Sequence, residues 1–168
     1  MAAVAVGVAA AAAVAALLVV AVGWDGGSGG SYGPAEPLVE TRLDPPSALF
    51  GDAVTATAVV LVDRRDVDPD TVSLVASFRP FQSFASQRTV TDDVGHATRI
   101  TFTNRLQCVT GACLRAMETE ERGGRLRTVP IAFRQATVTA TGRDGRQVAR
   151  PVSWPTLVVH SRLTAEDI

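Results

Sequence analysis

Lysine is missing from this chain. All 16 basic residues are arginine, set against 17 acidic ones for a formal net charge of -1. An all-arginine complement reads as the mark of a GC-rich coding sequence rather than of a function. With arginines scattered among acids, the balance argues against nucleic-acid binding, which calls for a basic surplus on one face. Cysteine and histidine are scarce, at two each, and too dispersed for the four ligands of a structural zinc site. No G-x-S-x-G elbow, phosphate loop or dinucleotide fingerprint occurs, and neither His96 nor His160 lies in a recognisable catalytic constellation. The expectation is a non-enzyme with no catalytic residues, no cofactor and no metal; the alternative is an exported ligand- or metal-binding domain, with an exported hydrolase behind it. Helical periodicity is also wanting after residue 37, where only CLRAMETEERG has room for one or two turns.

Charge is absent from one long run. Residues 2–24, AAVAVGVAAAAAVAALLVVAVGW, carry no ionisable side chain and no strong helix breaker. As a helix this stretch would reach about 34 Å, enough to cross a bilayer core of about 30 Å. It reads as a transmembrane signal-anchor or as a signal peptide. Its length and the lack of a basic n-region favour the anchor, while Ala21 and Gly23 before Trp24 would suit cleavage. No basic cluster flanks it, so orientation is weakly encoded. A β domain bearing paired cysteines favours the extracytoplasmic side, with the chain in the cell membrane as a single-pass protein. Residues 25–37, DGGSGGSYGPAEP, form a Gly/Ser-rich linker that as a coil would span about 20 Å.

From 38 to 163 the dominant period is two, which predicts strands. In TVSLVASF, Val72, Leu74, Ala76 and Phe78 share one face. AVTATAVVLV (53–62) alternates and then turns apolar on both faces, as a central strand does. HATRITFTNRLQC sets Ile100, Phe102, Leu106 and Cys108 against Arg99, Thr101, Thr103 and Arg105, and QATVTATG sets Ala136, Val138 and Ala140 against threonines. TLVVHSRL places Leu157 and Val159 inward. DDVGH joins two hairpin arms, and Asp144-Gly145 is a strong two-residue hairpin signal. In RQVARPVSWP, Arg150 and Pro151 call for an edge strand or a bulge. About seven strands at this spacing predict an all-β, antiparallel β-sandwich, followed by a tail at 164–168. The ending TAEDI leaves open a further segment, such as a second membrane helix.

Four residues separate Cys108 from Cys113, unlike a C-x-x-C redox pair, and in an exported domain they predict a disulfide. Closing so short a loop contributes about 2 kcal/mol. Asp63, Asp66, Asp68 and Asp70 in DRRDVDPD lack the glycine and the distal acid of a calcium loop and predict a solvated turn beside Arg64 and Arg65. FRPFQSFAS gathers three of the six phenylalanines within seven residues. Phe78 belongs to the inward strand face. Phe81 and Phe84 follow Pro80, where the chain bends, and with Arg79 they form the candidate partner-binding patch. The alternative is that they cap the core. Phe81 is expected to be the more exposed and Phe84 mostly buried.

LFGDAVTATAVVLVDRRDVDPDTVSLVASFRPF, with RLQCVTGACLR and WPTLVVHSRL, resembles membrane-anchored extracytoplasmic proteins of GC-rich Gram-positive bacteria. GDAVTATAVV is also similar to the immunoglobulin-like domains of aerotolerance-type (Bat) membrane proteins. The resemblance covers residues 38–163 and implies an immunoglobulin-like sandwich working with other membrane or envelope proteins. It brings no catalytic residues. The antibody pattern is not met, because the cysteines are too close to bridge two sheets and no core tryptophan occupies the third strand.

Overall fold

The computed structural model describes residues 36–113 and 127–161. The apolar run 2–24, nearly all of the linker, the helical turns expected after Cys113 and the tail 164–168 lie outside the described residues. Among those described, the chain is all-β, with eleven strands: β1 (Leu38–Asp44), β2 (Ser47–Leu49), β3 (Ala53–Asp63), β4 (Val67–Val75), β5 (Gln82–Ser83), β6 (Arg88–Val94), β7 (Ala97–Gln107), β8 (Arg127–Ile131), β9 (Ala136–Gly142), β10 (Gln147–Val152) and β11 (Leu157–Ser161).

The two longest strands, β3 and β7, pair antiparallel without a break from Ala53↔Gln107 to Asp63↔Ala97. Their alternation explains the match. Val54, Ala56, Ala58, Val60 and Val62 of β3 meet Ile100, Phe102 and Leu106 of β7 on one buried face. Each large apolar side chain so removed from water contributes about 1.5–3 kcal/mol. β1 adds to the free side of β3, and β5 and β6 both add to β7, completing a five-stranded sheet. The β6–β7 hairpin turns on Gly95-His96, with Gly95 at a φ of 62° as a two-residue loop requires.

In a second, three-stranded sheet β9 lies between β10 and β4, with Ala136, Val138 and Ala140 buried. β10 is an edge strand, as Arg150 and Pro151 predict. The β4–β9 register shifts between Asp68 and Ser73, around Pro69. There the Thr71 hydroxyl stands in for a ladder carbonyl, accepting from Thr141 N–H at 2.9 Å while donating to Asp68 O at 2.7 Å. The β9–β10 loop differs from the expected two residues. Gly142 N–H donates to Arg146 O at 2.8 Å and Gly145 N–H to Gly142 O at 2.9 Å, so Arg143, Asp144 and Gly145 form a three-residue loop. Gly145, with a φ of 80°, takes the left-handed position that ends such a turn.

A third sheet, β2-β11-β8, contains a parallel pair, Ser47↔Val158 to Leu49↔His160. The expectation of purely antiparallel pairing is corrected here, and so is the count of about seven strands. β2 is three residues long, and its partner lies more than a hundred residues away, so no local alternation announces it. The core residues run from Leu43 to Val159. The compact unit spanning Tyr32–Ile168 therefore contains the whole core.

Candidate interaction surface

β7 ends beside the paired cysteines. Cys108 and Cys113 form a disulfide with a Cα–Cα distance of 5.7 Å, and both are fully buried. Thr110 caps the helical turn at Gly111–Cys113: its carbonyl accepts from Cys113 N–H at 2.9 Å and its hydroxyl at 3.3 Å. Gly51 N–H donates to Cys108 O at 2.9 Å, joining the β2–β3 turn to the same place. The bond is sealed from solvent, which suits a staple and not an exchanging thiol pair.

The aromatic stretch divides in a way opposite to the expectation. A turn closed by Phe81 N–H donating to Phe78 O at 2.8 Å folds the chain back on itself. Phe81 is 5% exposed, and its ring stands edge-on to Phe133 at 5.4 Å, as does that of Phe78 at 5.5 Å. Trp154 completes the cluster 5.0 Å from Phe78. Edge-on pairs of this kind add about 0.5–1.5 kcal/mol each beyond burial. A core tryptophan is thus present, although it follows β10 and sits in no third strand. Its indole N–H is buried without an acceptor among the described residues.

Phe84 is the exposed member, at 46%. Its N–H donates to Arg105 O at 3.2 Å, and the Arg105 guanidinium lies 5.0 Å from its ring centroid. A cation over an aromatic face at an exposed site contributes about 0.5–1 kcal/mol. Arg79 is exposed in the bend before Phe81. Of the three expected patch residues, Phe81 is therefore withdrawn into the core, while Arg79 and Phe84 remain at the surface.

The register extends the Phe84 site across the side of the five-stranded sheet that faces away from the core. Arg88, Val90 and Asp92 of β6 lie opposite Thr103, Thr101 and Arg99 of β7, which face Thr57, Val59 and Leu61 of β3. Those in turn face Arg42, Glu40 and Leu38 of β1. Leu38 and Val90 are exposed, and Thr57 is closed over between Arg42 and Thr103. Four arginines on this side, at 42, 88, 99 and 105, are matched by four acids, Glu40, Asp44, Asp63 and Asp92. At one end an open groove of about 340 Å³ is lined by Leu38, Val39, Glu40, Val59, Leu61, Arg99 and Arg150. Sequence reading missed the groove. Its one signal, the second apolar face of VVLV, reads equally well as a central strand.

The expected acidic turn is confined to Arg64–Asp66, with Asp68 and Asp70 already in β4, and within it Arg65 neutralises Asp63. Asp63 accepts from Arg65 N–H at 2.9 Å and from its Nε at 3.0 Å. Arg64 Nη1 donates to Asp93 at 2.9 Å and its N–H to His96 O at 3.0 Å, tying this turn to the β6–β7 hairpin. The hydrogen bonds from the Arg65 side chain, then from its N–H, hold the Asp63 carboxyl down at about 2 against an ordinary 3.8. This interaction stabilises the fold fully above the unfolded carboxyl's range and is lost as pH falls through about 2. A carbon-detected NMR titration is expected to find the Asp63 midpoint near 2, and Arg65→Ala is expected to return it toward 3.8.

His96 is exposed in the β6–β7 turn, while His160 lies in β11, its Nδ1 2.9 Å from Thr128 Oγ1. Among the described residues no group of three or more His, Cys, Asp or Glu is placed to hold a metal ion. Nor, among them, is any helix long and apolar enough to cross a membrane. No protein-family model matches the chain, and no curated protein is significantly similar to it.

Proposed function

We propose that the chain is a membrane-anchored, extracytoplasmic β-sandwich of the immunoglobulin-like type that acts as a protein–protein interaction module in the cell envelope. The observation that carries this reading is on the side of the five-stranded sheet turned from the core, where exposed Phe84 stacks under Arg105 and exposed Val90 lies farther along β7, opposite Thr101. An exposed aromatic under an arginine is the kind of pair enriched at interface centres. The uncharged run 2–24 supports the anchor, and the buried disulfide supports an oxidising compartment.

The groove at Leu38, Leu61 and Arg99 favours a second reading, an exported ligand-binding domain. An apolar floor flanked by Arg99 and Glu40 would take a small amphipathic molecule. One experiment separates the two. The full-length protein is expected to stay in carbonate-washed membranes and, in mild detergent, to bring down a defined set of envelope proteins that Phe84→Ala loses. Capture unaffected by Phe84→Ala but blocked by Leu61→Arg moves the site to the groove. A soluble form beginning at Trp24 shows a cleaved signal instead of an anchor.

A further inference from the structure

Among the described residues strand β6 forms an edge of the five-stranded sheet: it pairs with β7 alone, and all seven of its residues are exposed. The two-residue loop closes on Val94↔Ala97, whose main-chain groups bond each other. Alternation from that pair turns the N–H and C=O of Val90 and Asp92 toward β7. It leaves those of Thr89, Thr91 and Asp93 on the open side. The edge thus presents unpaired donors and acceptors with little side-chain bulk over them.

The side chains from Arg88 to Asp92 read Arg-Thr-Val-Thr-Asp. Run antiparallel against itself about Val90, this order is its own complement. We propose that β6 is a self-recognition edge, pairing with β6 of a second copy about a two-fold axis through Val90. Arg88 then lies opposite Asp92 of the partner subunit, and Asp92 opposite the partner's Arg88, on the same side of the sheet as Phe84. Val90 meets the partner's Val90 in a pair without main-chain bonds, where side chains come closest. Thr89 and Thr91 of the partner subunit exchange both of their main-chain hydrogen bonds.

The charges fix this register. An axis at Thr91 sets Arg88 against Val94 and Val90 against Asp92. An axis at Thr89 sets Arg88 against Val90. Among the described residues neither Arg88 nor Asp92 has an ion-pair partner within its own chain. Charged residues on an edge ordinarily guard it against pairing. Here the arrangement repels unrelated strands and admits the chain's own copy. The pairing does not depend on membrane attachment, so it stands or falls apart from the proposed function.

Sedimentation equilibrium on the fragment 32–168, which contains the whole core, tests the idea at concentrations up to roughly 1 mM, where a weak pair is populated. A monomer–dimer equilibrium is expected. Arg88→Asp and Asp92→Arg, each alone, convert both cross-strand pairs to like charges and are expected to weaken association about tenfold or more. An equimolar mixture of the two variants is expected to regain it as a heterodimer, and the double exchange R88D/D92R as a homodimer. Unchanged melting curves would show that each variant folds. A wild-type fragment that stays monomeric, a dimer indifferent to either reversal, or a mixture that fails to associate overturns the proposal.

Discussion

Replacing Phe81 with alanine is expected to lower the stability of the β domain by about 3–5 kcal/mol, the range for truncating a buried phenylalanine. Its ring is 5% exposed and stands edge-on to Phe133, so the change removes both a buried surface and an aromatic pair. The neighbours cannot close over the gap easily, because Phe78 and Trp154 are themselves locked against the same cluster. In a thermal melt this corresponds to a fall of at least about 10 °C. Phe84→Ala is the internal control. It loses an exposed ring and one cation contact, worth less than about 1 kcal/mol. Equal losses from the two variants would show that the turn at Phe78–Phe81 does not divide the stretch as described.

The second large effect belongs to the disulfide. Replacing Cys108 and Cys113 together with alanine is expected to cost about 2–4 kcal/mol, from the freed six-residue loop in the unfolded chain and from the lost sulfur packing. Both residues are fully buried, so reductant and thiol reagent must wait for the structure to open. The native domain is therefore expected to resist alkylation in reductant and to be labelled at both positions only after denaturation. Rapid labelling of the folded protein would remove the staple. A single Cys108→Ala change is the harsher variant, since it leaves Cys113 as an unpaired thiol free to form intermolecular bonds.

How far the sequence carried depends on the distance between the residues that decide each feature. β3, β7 and β9 were legible because alternation along one segment is a local pattern, and their buried faces are the ones it names. The hairpin at Gly95 and the edge character of Pro151 were legible for the same reason. β2 was not, since its three residues owe their strand to Val158 and Val159 across the chain. The exposures of Phe81 and Phe84 came out reversed because the turn at Phe78–Phe81 resets the parity that the preceding strand had established. A proline announces that the chain bends without saying on which side it resumes. The candidate interaction surface was half legible: Phe84 and Arg79 lie within one motif, whereas Arg105 meets Phe84 only through cross-strand register, which also sets Leu38 and Arg99 farther along the same side.

A pull on the chain at Glu36 enters the described domain through β1. β1 meets β3 through seven partners, from Leu38↔Leu61 to Asp44↔Thr55. A pull along the strand loads all of these rungs at once, while a pull across the sheet opens them singly, beginning at Leu38. At that first rung Arg150 donates to Pro37 O at 2.6 Å and lies 3.6 Å from Glu36, so a side chain from β10 bridges the point where peeling would start. The fold is consequently mechanically anisotropic, strong along β1 and clamped at the one position where it would otherwise unzip.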